Sequence, residues 1–406
     1  MAQRRKSQRP PSQRGKAQRG KAQRGKAPPP NDNVAPAAAP VRPALESLRR
    51  EIDNVDAELH RLINERARLA RKVGISKHAD GHLVDFYRPE REAQVLRQAL
   101  ERNRAARETG ALRDEEVLRL FREIMSACLA QEEPLKVAFL GPEGTFSQTA
   151  VYKHFGHSVR ALPLTAIDEV FHEVESGQAD FGVVPIENST EGTVNHTLDR
   201  FLTSPLKICG EVELRIHQCL MGRMDGLGSI ARVCSHPQSL AQCRGWLNEH
   251  LASVERIPVA SNAEAARRAR DENGTAAIAG QTAADVYGLT VLASEIEDRA
   301  DNTTRFFVVG RKVFKPSGAD RTTLIVSTNE TGGPGALHRL LGPLAKHGIS
   351  MTRIESRPSQ RRKWDYVFFF DIEGHVDEPH VAAALAELKA EASLYRVLGS
   401  YPRAIL

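Results

Sequence analysis

Asp301-Asn302-Thr303-Thr304-Arg305-Phe306-Phe307-Val308-Val309 joins a cluster of hydrogen-bonding side chains to an unbroken apolar run. The run from Phe306 to Val309 reads as a buried strand, because a short block of aromatic and β-branched residues fills both faces of a pleated sheet. A buried strand needs covering layers, and the polar cluster then stands at its mouth, where α/β proteins place their sites. A polar turn that only opens the strand satisfies the same spacing. Matching chemistry elsewhere in the chain has to separate the two.

The chain upstream, about residues 135–314, alternates strand and helix signals. Lys136 to Leu140, Val159 to Leu164 and Phe181 to Pro185 read as strands, and Ser147 to Phe155 and Ala166 to Ser176 as helices. Gly141-Pro142-Glu143-Gly144-Thr145-Phe146-Ser147 is a loop leading into a helix, whose amides can receive a carboxylate or phosphate. It lacks the lysine of a nucleotide-binding P-loop. Gly226-Leu227-Gly228-Ser229-Ile230-Ala231 formally fits a dinucleotide fingerprint. The strand-like run Arg232 to Cys234 follows too soon for the helix that a pyrophosphate needs, so the segment reads as a loop and argues against a nicotinamide-dependent dehydrogenase.

Pro185-Ile186-Glu187-Asn188-Ser189 follows a strand, and Ser235-His236-Pro237-Gln238 leads to Gln242. With Gly141–Ser147 and Asn302–Phe306, these segments resemble, in order, the motifs of prephenate dehydratases. Taken singly, Asn188 can be a cap for a helix from Thr190 to Leu202, and Ser235 with His236 a turn before Pro237. The resemblance implies two α/β lobes with the site in the cleft between them. It assigns catalytic positions to Asn188, Ser235, Gln242 and Thr304, and substrate contacts to Gly144, Thr145 and Arg305. Prephenate loses its ring carboxylate and 4-hydroxyl together, so the departing hydroxyl needs a proton or a strong hydrogen bond. A threonine hydroxyl is a weak acid. Thr304 is therefore expected to relay a proton within a neutral network with Asn188, Ser235 and Gln242. Arg305 either binds a substrate carboxylate or braces the loop.

Nearer the N-terminus, residues 43–134 read as helical. Leu48, Ile52, Val55, Leu59, Leu62, Arg66, Leu69 and Val73 recur at spacings of three and four, a core-facing stripe on a helix long enough to suit a bundle or coiled-coil dimer. Arg66 within that stripe needs an anion, a buried acidic partner or an escape to solvent. A second helix starts near Arg88-Pro89, and a third runs from about Asp114 to Glu132 with Val117, Phe121, Ile124, Cys128 and Glu132 on one face. This region resembles the helical chorismate mutases. The resemblance implies that Arg49 reaches the partner subunit's site, that Arg66 and Lys77 hold substrate, and that Arg91 and Glu92 form the pair opening the second helix, with Glu92 on the substrate hydroxyl. Arg88 stands where the better-known pattern has an aspartate, and Cys128 and Glu132 where serine and glutamine are usual. Chorismate carries two carboxylates and rearranges by a [3,3] shift in which an ether oxygen gains negative charge. Arginines can clamp the carboxylates and Lys77 can stabilise the developing charge, with no cofactor or metal. A protonated Glu132 can donate to the ether oxygen, so mutase activity is expected to fall as pH rises through its pKa.

The last segment, residues 321–406, reads strand, helix, strand, strand, helix, strand, the α+β ferredoxin-like plan. It resembles the regulatory ACT domain. Glu355-Ser356-Arg357-Pro358 and Gly335-Ala336-Leu337 match its effector motifs, with His338 at a usually apolar position. The implied effector is L-phenylalanine, bound between domains of two subunits, and the implied outcome is feedback inhibition.

Composition sets the remaining expectations. The net charge of +6 over 406 residues is concentrated in residues 1–42, which hold 11 Lys and Arg against one acid, leaving 46 basic and 50 acidic residues elsewhere. That tail, with its Gln-Arg-Gly-Lys repeats and few apolar residues, is expected to be disordered, and it lacks the apolar segment of a secretory signal. No stretch suits a membrane span. Five cysteines without metal-ligand spacing suit a reduced, cytoplasmic setting. The expected architecture is multidomain: a helical mutase domain, a two-lobed α/β dehydratase domain and an ACT domain in a homodimer. Chorismate, prephenate and L-phenylalanine are the expected ligands. A sensor that kept the fold without turnover is the alternative, and nucleic-acid binding through the basic tail lacks any base-reading motif.

Overall fold

The structure, a computed structural model, describes residues 45–79, 87–106, 110, 112–131, 134–328, 334–359 and 366–405, the side chains of 74–79 excepted. By internal contacts the chain divides into Met1–Glu58 and Leu59–Leu406. Helix α1 (Leu45–Ala79) runs 35 residues, and the expected stripe is present on it. The stripe is not core-facing within the chain: Leu48, Ile52, Val55, Leu59, Leu62, Leu69 and Val73 are 42–58 % exposed. Helices α2 (Pro89–Ala105) and α3 (Asp114–Leu129) start where the sequence placed them. Pro89 supplies the preset first-turn φ of α2, and at α3 the Glu116 carboxylate returns to the Arg113 backbone amide in a capping box. Leu96, Leu100 and Leu118 make a small shared core beside Phe121, Met125 and Ile405.

The first lobe contains β1 (Lys136–Leu140), α4 (Phe146–Phe155), β2 (Arg160–Leu164), α5 (Ile167–Glu175), β3 (Phe181–Asn188), the short β4 (Gly192–Thr193), α6 (Asn195–Thr203) and β5 (Lys207–Arg215). The chain then builds a second lobe from β6 (Cys219–Gly222), β7 (Arg232–Ser235), α7 (Pro237–Gln242), α8 (Arg244–His250), β8 (Glu255–Pro258), α9 (Asn262–Asp271), β9 (Thr275–Ala279), α10 (Gln281–Tyr287) and β10 (Thr290–Ala293). It returns to the first lobe as β11 (Thr303–Gly310). The first sheet has the order β2-β1-β3-β11-β5, with β4 on β3, and the second β10-β6-β9-β7-β8. The Phe306–Val309 run is fully interior, as its composition requires, because β11 lies between β3 and β5.

One local expectation changes and another stands. The helix expected from Thr190 begins only at Asn195, because Gly192 takes a positive φ and lets the chain fold back on β3 as a hairpin first. Gly226–Ala231 holds only a single short turn, Leu227–Ser229, and so presents no helix to a dinucleotide.

The C-terminal domain follows the ferredoxin-like order: β12 (Asp320–Thr328), α11 (Ala336–Lys346), β13 (Met351–Pro358), β14 (Tyr366–Glu373), α12 (Pro379–Glu391) and β15 (Ala392–Pro402). Its sheet has the order β13-β14-β12-β15; side chains alternate along β12 and β14, while β15 is bulged against β12. Leu324, Val326, Phe370 and Ile372 face α11 and α12. Ile325, Val367, Phe369, Leu398 and Tyr401 face the other way, into a core they share with Ile208, Phe307 and Val309 of the first lobe. At Gly399 the strands β15 and β5 approach so closely that a β-carbon would overlap the Ile208 backbone.

Candidate active sites

The cleft between the two α/β lobes, about 470 Å³, gathers the sequence motifs from both sides. On the first lobe, antiparallel register places Thr304 directly opposite Asn188. The Asn188 amide Nδ2 donates to Thr304 Oγ1 and to Asn302 Oδ1, both at 2.8 Å. Its Oδ1 accepts from the Thr190 and Glu191 amides at 2.9 and 3.0 Å. Asn188 is therefore both the turn cap and part of the cleft wall. Because Thr304 accepts from Asn188, its own hydroxyl proton is free to point at a bound molecule. Asn302 lines the same wall and is almost fully buried.

On the second lobe, Gln242 lines the cleft and accepts from Gln218 Nε2 at 3.3 Å, which leaves its own amide hydrogens to the cleft. Ser235 does not line the cleft. It is fully buried, with its hydroxyl 2.7 Å from Ile278 O and 2.9 Å from Asn262 Oδ1. The catalytic position expected of Ser235 in the cleft is corrected: the last residue of β7 points under the site, where it holds Asn262, and Asn262 lines the cleft. Gly144 and Thr145 do line the cleft, but the Gly144 amide is taken by Gln148 Oε1 at 2.6 Å and the Thr145 hydroxyl donates to Leu140 O at 3.2 Å.

Arg305 is the second correction. Successive residues of a strand face opposite ways, so Thr304 in the cleft puts Arg305 on the far side. There it donates to Glu211 at 2.9 and 2.7 Å, to Asp371 at 2.6 Å and to Tyr401 at 3.3 Å. Arg321 also pairs with Glu211, so two arginines and two carboxylates close a buried network. Of the two roles open to Arg305, the structure takes the brace, and what it braces is the C-terminal domain. Gln218 and Asn262 are cleft residues that no motif announced. Gln218 sits just beyond β5, is 1 % exposed, and its Oε1 has no partner among the described residues.

The helical region brings together fewer of its expected residues. Glu92 and Arg66 approach closely enough to interact electrostatically. Burial pushes the Glu92 carboxyl up to about 7, while Arg122, a hydrogen bond with Tyr87 and Arg66 oppose the shift. Arg122 of α3, 3.8 Å from Glu92, is the missed member, since it reads as part of the polar face of that helix. Behind them the Tyr87 hydroxyl meets His154 Nε2 at 2.9 Å, and burial, reinforced by Arg122, pushes His154 down to about 3. Cys128 is buried on α3, whereas Arg49, Arg88 and Arg91 are exposed in the single chain. The Lys77 side chain and Glu132 lie outside the described residues.

The effector motifs divide by strand alternation. On β13, Ser356 and Pro358 are exposed. Glu355 accepts from Thr193 at 2.8 Å, and Arg357 grips Asp199 at 2.7 and 2.9 Å, so both face the dehydratase lobe. Arg353 pairs with Glu187, next to Asn188. Gly335, at a positive φ, precedes Ala336 and Leu337 in the first turn of α11.

Residues 137–313 match the prephenate dehydratase family, residues 48–133 the chorismate mutase type II family, and residues 323–390 the ACT domain. The chain is 54 % identical over 366 residues to the bifunctional chorismate mutase/prephenate dehydratase of Pseudomonas aeruginosa, covering 89 % of this chain and 98 % of that one. The crystal structure of prephenate dehydratase from Arthrobacter aurescens in complex with L-Phe is similar at 38 % identity and TM-score 0.61, over 66 % of this chain and 90 % of that one. GqqA, a quorum quenching acylase, is similar at 31 % identity and TM-score 0.60, over 66 % of this chain and 98 % of that one. A match that extends from the helices through the cleft to the effector motifs leaves one conclusion: the chain belongs to the bifunctional chorismate mutase/prephenate dehydratase family.

Proposed function

We propose that the chain divides its two reactions as follows: residues 43–134 rearrange chorismate to prephenate, residues 135–314 convert prephenate to phenylpyruvate, and residues 321–406 bind L-phenylalanine and restrain the second step. The observation that carries the dehydratase reading is the Asn188–Thr304–Asn302 cluster. With Asn188 donating to its oxygen, Thr304 offers its proton to the 4-hydroxyl of prephenate. As the bond from C1 to the ring carboxylate breaks, its electrons enter the ring and expel the hydroxyl. CO₂ and water leave, and solvent returns the proton through the network. Gln242 and Asn262 supply further neutral dipoles that need no reorganisation during the reaction.

In the mutase, Arg49, Arg66, Lys77 and Arg91 bind the two carboxylates and the ether oxygen, with Glu92 on the hydroxyl and Cys128 and Glu132 completing the pocket. The exposed stripe of α1 supports a homodimer, in which a second copy covers those apolar side chains and Arg49 enters its neighbour's pocket. Five buried cysteines, none of them in a disulfide among the described residues, support a reducing, cytoplasmic setting. L-Phenylalanine bound at the Gly335–Leu337 and Glu355–Pro358 motifs acts through Glu355 and Arg357, whose partners Thr193 and Asp199 belong to the first lobe. A coupled assay from chorismate to phenylpyruvate, with and without L-phenylalanine, tests the whole reading. Thr304→Ala is expected to stop phenylpyruvate formation and leave prephenate accumulating. A chain that binds prephenate without turnover is the sensor that would refute it.

A further inference from the structure

The dehydratase cleft has to receive a substrate with two carboxylates, yet among the described residues that line it there is no lysine or arginine. Glu191 on its rim adds a like charge. His236 is the one lining side chain that can carry positive charge, and its geometry fixes how its ring is used. Its Nδ1 accepts the Gln238 backbone N–H at 3.3 Å, capping α7, while its own backbone N–H donates to Asn262 Oδ1 at 3.2 Å. A neutral imidazole that accepts at Nδ1 carries its hydrogen on Nε2. Among the described residues, nothing bonds that Nε2.

We propose that His236 binds the pyruvyl carboxylate of prephenate through Nε2–H, and so selects substrates whose side chain ends in a carboxylate. The inference rests on reading the cleft as a prephenate dehydratase site. In prephenate the 4-hydroxyl and the carbon bearing both carboxylate arms stand at opposite ends of the ring. Thr304, Asn188 and Asn302 belong to the first lobe, and His236 follows β7 of the second. A ring with its hydroxyl at Thr304 therefore turns its carboxylate-bearing end away from that wall. The ring carboxylate loses its charge as CO₂ forms, so a strong donor there would stabilise the ground state more than the transition state and slow the reaction. The pyruvyl carboxylate keeps its charge throughout, and a donor there binds both states alike. A cleft stripped of arginine and lysine but retaining one imidazole N–H matches this division.

Two substitutions separate binding from capping. Asparagine places an amide oxygen near the position of Nδ1, which keeps the cap and loses the reach. Glutamine places an amide N–H near the position of Nε2, which keeps the donor and loses the cap. His236→Asn is expected to raise KM for prephenate about tenfold or more with kcat little changed, whereas His236→Gln stays near the wild-type KM. In parallel, wild type is expected to be inhibited better by phenylpyruvate than by phenylacetone, which lacks the carboxylate, and His236→Asn is expected to lose that preference. The reverse order of the two variants, or an unchanged KM and preference in both, overturns the proposal. A wild-type chain without any turnover would overturn the dehydratase reading instead, and the phenylpyruvate-to-phenylacetone binding ratio would still decide the role of His236.

Discussion

Replacing Arg305 tests how β11, the strand that carries Thr304 to the cleft, is held. The Arg305 side chain is 12 % exposed, and its partners Glu211 and Asp371 are 1 % and 0 % exposed. Arg305→Met keeps most of the volume and removes the charge, leaving Arg321 alone against two interior carboxylates. Breaking such a network by deleting one partner costs about 3–5 kcal/mol, since the orphaned carboxylate must stay charged without a partner or take up a proton. Chemical denaturation of the full chain at neutral pH reads this directly. Adding Asp371→Asn to Arg305→Met removes the orphaned charge and should recover a good part of the loss, a coupling that independent sites would not show. KM for prephenate should stay within about threefold of wild type in Arg305→Met, because Arg305 faces away from the cleft. A loss below about 1 kcal/mol combined with a KM raised more than about tenfold would refute the placement and return Arg305 to substrate binding.

Glu92 gives a pH prediction. With its carboxyl pushed from 4.5 up to about 7, the folded chain holds a proton across that window which the unfolded chain has released, so stability falls as pH rises through it, by at most about 3 kcal/mol. Denaturation midpoints from about pH 5 to about pH 8 should show the decline, and Glu92→Gln should flatten it. Gln218→Leu fills the same space but leaves Gln242 without the Gln218 donor and Ser239 with Asn262 alone, so kcat for prephenate should drop by about tenfold or more while mutase activity persists. Glu191→Gln removes the like charge at the cleft rim and should lower KM for prephenate, measurably more at low than at high salt. Gly399→Ala should destabilise the chain by about 1–3 kcal/mol, since β15 must back away from Ile208; an unchanged melting midpoint would count against the close approach.

Much of this molecule was legible in the residues, and the failures share causes. Phe306 to Val309 announced an interior strand because interior strands of that composition have few other fates. The order of elements in residues 321–406 announced its sheet for the same reason. The cleft wall was legible only as motifs, since the opposition of Thr304 and Asn188 depends on the register of strands more than a hundred residues apart. Arg305 shows the limit of reading a motif as a unit: alternation along β11 sends its neighbours to opposite faces, and only the location of the C-terminal domain explains why a charge is wanted behind the cleft. Ser235 failed because a strand's last side chain can point under a site as easily as into it. Gln218 and Asn262 were invisible because a lone amide carries no local signal, and Arg122 because its acidic partner comes from another helix. The stripe of α1 was legible as apolar, but its spacing alone does not say whether the same chain or a second copy covers it, and in the single chain it is exposed.

The shared core of Ile208, Phe307, Val309, Phe369 and Tyr401 bears on how such a chain can be cut and recombined. Sequence boundaries near residue 320 suggest a cassette that could be traded between enzymes. Yet the sheet of the last domain roofs the catalytic lobe, and the Glu211 and Arg305 charges are neutralised partly from above. A graft that swaps in a foreign regulatory domain would have to bring matching substitutes for Asp371, Arg321 and Gly399, or leave the catalytic lobe with a bare apolar roofline and a stranded charge. The ACT domain is separable as a stretch of text and inseparable as a piece of architecture.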